Sequence, residues 1–254
     1  MVLSNTPGRK FLSTLSSRYS KPRAAVVISA HFETSDAGVV TDPAPQTIYD
    51  FGNFDQRLFG IKYPAPGHPK LADEVFNLIS DAGISVSKVA KRGFDHGIWV
   101  PLSLVWPEAD VPIVQLSIDP EQGPNYHYHI GRALRSLPKQ NIAVIGTGNI
   151  SHNLPVLLSS GRNQQRDAEF KRRVQNFLEW FDAEIDANNV DNLLSYRDRA
   201  PFSSDNHPTD DHLLPLYAAM GAAGDKFKGT KIHQSFDFGV LAMNASEFAP
   251  ATST

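Results

Sequence analysis

The chain has 254 residues, 41% of them hydrophobic and 20% charged, with a formal net charge of −3. That length supports one large domain with a substantial core. The slightly acidic balance argues against nucleic acid or an acidic membrane as partner and leaves a small molecule as the default. There is no cysteine, which excludes disulfides, thiol nucleophiles and thiolate metal sites, so any metal must be held by His, Asp or Glu. The cytoplasm is the expected compartment. Residues 1–17 lack the long apolar core of a signal peptide, and no run approaches the ~20 apolar residues of a membrane span.

Residues 6–17 suit a short helix with Phe11, Leu12 and Leu15 on one face. Residues 24–29 (AAVVIS) are an apolar, β-branched run of the kind buried on both faces of a parallel sheet. The run stops at Ala30, which leaves His31 and Glu33 just past the strand end, the edge where ligands collect in open α/β sheets. Residues 41–67 are rich in Pro, Gly and aromatics, among them Tyr49, Phe51, Phe54, Phe59 and Tyr63. A loop this long reads either as an aromatic binding wall or as a hydrophobic cluster under a loop.

An amphipathic helix follows over residues 69–81, with Gly83 near its C-cap, then a strand over residues 84–90. The glycine-bracketed turn of residues 93–97 holds His96 at a fixed angle, ahead of a short helix over residues 98–105. Residues 111–118 form a buried strand, and residues 126–137 a helix on which His127 and His129 are surface or packing residues. Another buried strand, residues 141–147, runs into a turn that presents His152. Residues 163–186 form a long charged helix with Phe170, Val174, Phe177, Leu178 and Phe181 inward. Thr209 is the expected N-cap of a helix through Ala222, residues 232–243 the last strand, and residues 246–254 a frayed tail. Strands alternate with helices, with no repeat and no linker. The expectation is a single α/β domain over residues 1–254, in three layers, with a central, mostly parallel sheet flanked by helices.

Capping by Thr209 would put Asp210 and Asp211 in the first helical turn and His212 at the third helical position. There the positive helix end disfavours imidazolium and keeps the ring in its neutral, metal-binding form. His207 lies just before the cap and could reach the same cleft, although the pair reads equally as an N-terminal capping cluster. Three separate element ends thus each offer a histidine, His31, His152 and His212, with His96 as a fourth. Nitrogen ligands supplemented by oxygen suit Fe(II), Zn(II) or Mn(II), for oxygen activation or for hydrolysis. Spacing does not choose between the two.

Seven blocks carry a resemblance: SAHFET (29–34), YDFGNF (49–54), YPAPGHP (63–69), GFDHGIW (93–99), VPIVQLSI (111–118), GTGNISHNL (146–154) and HPTDDHLLPL (207–216). In this order they resemble the class III extradiol ring-cleavage dioxygenases, in particular the DOPA 4,5-dioxygenase-like branch. The resemblance implies opening of a catechol by O₂ to a ring-opened semialdehyde. It also implies a non-haem Fe(II), often replaced by Zn(II), held by three histidines. His31 matches the ligand of the S-A-H motif and His212 that of the P-T-x-x-H-x-x-P motif. His152, in G-N-x-x-H-N, matches the acid/base histidine beside the substrate, and His96 a second substrate-facing one. Tyr49, Phe51 and Phe54 are candidates to wall the aromatic ring, and His207 to touch the substrate.

In one respect the sequence departs from the family. Members open with a strand ending in His-Gly-Ser-Pro-Met, whose histidine is the third ligand, whereas this sequence starts Met1-Val2-Leu3-Ser4. The expectation is therefore a missing strand and ligand, an unpaired edge along residues 24–29, weak metal binding and little turnover, with Glu33 or Asp211 as candidate replacement ligands. The rival readings are a Zn(II)-dependent hydrolase on the same scaffold and a catalytically impaired catechol-binding protein. The expected partners are a small catechol and O₂, with neither nucleic acid nor membrane.

Overall fold

A computed structural model describes residues 2–52, 55–159, 161, 163–238 and 240–251. Helix α1 (Pro7–Leu15) is closed at its start by the Thr6 hydroxyl, which accepts the Arg9 N–H. There follow β1 (Ala24–Glu33), β2 (Ala37–Val40), α2 (Pro69–Asp81), β3 (Val86–Val89), α3 (His96–Val105), β4 (Ile113–Ile118), α4 (Gly123–Ala133) and β5 (Ile142–Thr147). The second half holds α5 (Leu154–Ser159), α6 (Gln164–Asp186), α7 (Val190–Leu194), α8 (Tyr196–Arg199), α9 (Ser203–Asn206) and α10 (Leu214–Ala222). It closes with β6 (Phe227–His233), β7 (Phe236–Asp237), β8 (Leu241–Ala242) and β9 (Ala245–Pro250). The main sheet has the order β3-β2-β4-β1-β5 and is parallel except for the β2–β4 pair. This is the expected α/β architecture. Among the described residues no helix is long and apolar enough to cross a membrane.

Strand β1 shows why the sheet needs helices on both faces. Side chains alternate across a strand, so Ala24, Val26 and Ile28 enter a core built with α2, α4, α6 and α10. Ala25 and Val27 enter a second core with Phe94, Ile98, Trp99 and Leu102 around α3. Ser29 and His31 continue along that second face, which directs His31 toward the start of α3.

Several expectations need correction. Residues 24–29 have no free edge, because β1 pairs with β4 on one side and, from Ala24 to Ser29, with β5 on the other. The strand also does not stop at Ser29: it runs to Glu33, with its register against β4 shifting between Ile28 and Glu33, so His31 lies inside the strand. Strand β2 went unread because four residues are too few to show a period. The single strand expected over residues 232–243 is divided among β6, β7 and β8. Residues 246–250 do not fray: β9 pairs antiparallel with β6, and Phe248 packs edge-on against Phe227. Finally, α10 begins only at Leu214, with Pro215 in its first turn, so His212 precedes the helix.

His127 is a packing residue, one of the two options its sequence allowed. Its buried ring bonds the Gly123 carbonyl through Nδ1 at 2.7 Å and accepts the Asp119 N–H at Nε2 at 3.1 Å. Burial pushes this ring down to about 4 from its ordinary 6.5. A depressed histidine leaves stability intact above 6.5. As pH falls from 6.5 toward 4, only the unfolded chain takes up the proton, and stability is lost. At pH 5 the loss from this one group is about 2 kcal/mol. Urea unfolding at pH 7.5 and pH 5.0 should show it, and His127→Gln, which keeps one donor and one acceptor, should lose less between the two. An equal loss in both proteins would exonerate His127.

Candidate metal centre

Three close backbone approaches gather four histidines from distant parts of the chain. At the first, the start of α3 presses on β1: the Ser29 hydroxyl donates to Asp95 Oδ1 at 2.8 Å, and a Cβ on Gly97 would sit 2.6 Å from Ser29 Oγ and 2.9 Å from His31 Cδ2. At the second, the end of β5 docks on the segment before α10. The Asn149 N–H donates to the His212 carbonyl at 3.0 Å, and a Cβ on Gly148 would overlap that oxygen at 2.1 Å. Only glycine permits this approach. At the third, the His152 N–H donates to the Asn206 carbonyl at 2.8 Å.

The resulting ring spacings are unequal. His152 stacks on His212 with centroids 3.5 Å apart and planes 7° from parallel, and His31 lies 3.9 Å from His96. His31 meets His212 edge-on, at 4.9 Å and 82°. An imidazole centroid lies about 3.2 Å from an ion that its nitrogen binds, given a Zn–N distance of ~2.0–2.1 Å plus the radius of the ring. Two rings sharing an ion at an angle of roughly 90–110° are then roughly 4.5–5.2 Å apart. The His31–His212 spacing falls in that window, whereas the other two are too short. By ring spacing His31 and His212 are a pair that could share a divalent metal, with His152 and His96 flanking them.

Each flank carries a carboxylate. The ligand atoms of His31, Asp50 and His96 lie within 4.8 Å of one another, as do those of His152, Asp211 and His212. Asp50 accepts the His96 N–H at Oδ1 and faces ring Nδ1 through Oδ2, both at 2.9 Å. Asp211 bonds His212 Nδ1 at 2.5 Å and accepts the Thr209 hydroxyl. Holding Nδ1 leaves Nε2 of His212 as the ligand atom, the carboxylate–histidine–metal arrangement of many metal sites. Asp211 thus stands behind His212 and is not an open replacement ligand. Glu33 is exposed and belongs to neither group among the described residues.

Electrostatics keep two of the rings, His31 and His152, neutral. Burial first, then His96 and His212, push His31 down to about 3. Burial, then His212, pushes His152 down to about 4. Burial works against the Asp211 carboxylate, but bonds from His212 and Thr209 outweigh it and hold the group well below its usual range. Among the described residues neither ring nitrogen of His31 or of His152 has a hydrogen-bond partner, so their lone pairs are uncommitted near pH 7.

The remaining candidates separate. Phe51 meets His96 edge-on at 5.6 Å and Tyr49 meets Phe51 at 6.3 Å, so both adjoin the cluster. Phe54 lies outside the described residues. His207 does not face open space: its ring is buried against Phe177 and Tyr196, and Nε2 bonds the Ile150 carbonyl at 3.0 Å. Its position behind the His152 turn corrects the substrate-touching expectation. The dipole argument for His212 is replaced by its bond to Asp211. Sequence reasoning missed Asp50 and Asp95, although both stand inside the quoted blocks. What it could not see is that a loop and a helix start 46 positions apart are zipped together through Phe94 N–H to Gln46 O and Ile48 N–H to Phe94 O.

Residues 10–245 match the family model described as the catalytic LigB subunit of aromatic ring-opening dioxygenase. The chain is 37% identical over 245 residues to a 4,5-DOPA dioxygenase extradiol of Beta vulgaris, covering 95% of this chain and 89% of the relative. It is 34% identical over 225 residues to the protein of the same description in Escherichia coli, covering 88% and 81%. Its fold superposes on the crystal structure of an uncharacterized Escherichia coli protein with a TM-score of 0.75 at 29% identity, covering 98% of this chain and 94% of the other. On the family match and these identities, the chain belongs to the class III extradiol dioxygenases, the metal-using aromatic ring-opening enzymes of the LigB family.

Proposed function

We propose that this enzyme opens the ring of a DOPA-like catechol with O₂ at a non-haem Fe(II) centre held by His31 and His212. What carries the reading is the edge-on spacing of those two rings, 4.9 Å, between flanking histidines too close to share the ion. Imidazole donors with positions left open suit Fe(II) among the available divalent metals. Bound there, Fe(II) supplies the open coordination and redox chemistry through which a catechol and O₂ react. His152 is the acid/base. Its ring is neutral near pH 7, has no hydrogen-bond partner among the described residues, and lies over the face of His212, so it is free to take a hydroxyl proton from a substrate bound beside that ring. His96 is the second substrate-facing histidine, and Tyr49 and Phe51 form the aromatic side of the cleft. The names of the relatives support DOPA as the first probe.

The test is oxygen uptake by the Fe(II)-loaded and Zn(II)-loaded chain with DOPA. Uptake equimolar with ring-opened product, in the iron form only and at the low rate expected of two histidine ligands, is the expected result. Binding of DOPA with no oxygen consumed in either form would reject this reading in favour of a catechol-binding protein.

A further inference from the structure

The Asp50–His96 pair does more than pack. Asp95, the residue before α3, makes no side-chain capping bond to that helix. The first helical N–H, that of His96, is accepted instead by Asp50 Oδ1, from a loop 46 positions away. The second carboxylate oxygen faces ring Nδ1 of the same histidine at 2.9 Å. One side chain therefore fixes both the backbone and the ring of His96. The loop that carries Asp50 is itself pinned, since the Trp99 indole N–H donates to the Ile48 carbonyl at 3.1 Å and the Tyr49 hydroxyl to the Ile61 carbonyl at 2.8 Å.

An ionised carboxylate only accepts hydrogen bonds. Burial would raise the Asp50 carboxyl, but the bonds from the His96 ring and backbone outweigh it and hold the group below its ordinary value. The nitrogen facing Asp50 must then carry the proton. In the neutral ring this leaves Nε2, across the ring from Asp50, as a bare acceptor.

We propose that Asp50 is a positioning residue for ring opening: gripping His96 at its backbone N–H and ring Nδ1, it fixes the Nδ1–H tautomer and leaves Nε2 to accept a hydrogen bond from a catechol hydroxyl. The catechol half of this statement rests on the function proposed above; the tautomer half does not.

Asp50→Asn separates the two jobs. The amide oxygen still accepts the His96 N–H, while its NH₂ turned to the ring donates to Nδ1 and moves the ring proton to Nε2, converting the acceptor into a donor. Long-range ¹H–¹⁵N spectra of the histidine rings read this directly in the metal-free chain, with the His96 signals assigned by their loss in His96→Gln. The parent should show Nδ1–H and Asp50→Asn should show Nε2–H. In the Fe(II)-loaded protein, kcat/KM for DOPA should fall roughly 10–100-fold, mostly through KM, because the bound catechol already makes the contact. Asp50→Glu, which restores a carboxylate, should recover the Nδ1–H tautomer and part of the KM. A parent ring protonated at Nε2, or a tautomer unmoved in Asp50→Asn, overturns the proposal. So does an inverted tautomer with kcat and KM both within twofold of the parent. A parent that opens no catechol while its ring is Nδ1–H would reject the functional reading alone, since the nitrogen spectra need no turnover.

Discussion

Replacing His31 or His212 by alanine should lower the affinity for Fe(II) or Zn(II) by more than roughly 100-fold, beyond what loss of a mere supporting partner costs. His152→Ala should leave affinity nearly unchanged while turnover falls roughly 10²–10⁴-fold. The division follows from ring geometry. His31 and His212 stand edge-on at a spacing that one ion can bridge, whereas His152 lies flat on His212 and would point its nitrogens past any ion bound at Nε2. His31 and His152 are only half-buried, and His212, though buried, lies among polar side chains and not in either hydrophobic core. Far-UV circular dichroism should therefore change little in any variant, and metal titration followed by elemental analysis reads the difference. Metal lost from His152→Ala in step with activity would move that residue into the ligand set. Unchanged affinity in His212→Ala would show that the ion sits elsewhere in the cluster.

Much of this arrangement was legible before any coordinates. The AAVVIS run has the pattern of a strand buried on both faces, and it is the strand that touches both cores. Histidines at the ends of such elements pointed to one edge of the sheet, and His31, His152 and His212 do meet there. What stayed hidden depends on pairings across long sequence separations. Strand β9 looks like a polar tail because its stabilising partner is β6, which has no sequence mark of its own. The setting of His212 was misread because Thr209 carries the mark of an N-cap, yet its hydroxyl is spent on Asp211, while Asp210 bonds the Tyr196 hydroxyl at 2.5 Å and pairs with Arg197. The helix therefore waits until Leu214.

The support behind His31 was equally hidden, and Arg92 is its centre. Its Nη2 donates to the His31 carbonyl at 2.9 Å and lies 3.1 Å from Asp95 Oδ2, while Nη1 donates to the Gly93 carbonyl at 2.9 Å. The guanidinium also lies over the Phe32 ring at 4.2 Å. Asp95 is fully buried; Ser29 satisfies Oδ1, but among the described residues Oδ2 has no hydrogen bond and relies on the Arg92 charge beside it. Burial raises the Asp95 carboxyl despite the opposing pull of Ser29 and Arg92. Arg92→Met should therefore strand a buried carboxylate and cost about 3–5 kcal/mol, a large part of the ~5–15 kcal/mol that holds a typical domain folded. In thermal unfolding that is a drop on the order of 10 °C. The deficit should also depend on pH in a definite direction. Without Arg92 the folded-state value of Asp95 rises further above the unfolded 3.8, so the variant is least handicapped in acid, and its deficit against the parent grows as pH rises through that interval. Adding Asp95→Asn removes the charge but keeps an acceptor for Ser29, and should return most of the lost stability at pH 7.5. If Arg92→Met alone loses under 1 kcal/mol, or if Asp95→Asn restores nothing, the ion pair is not what holds His31 in place, and the Phe32 contact and the two carbonyl bonds must carry that role.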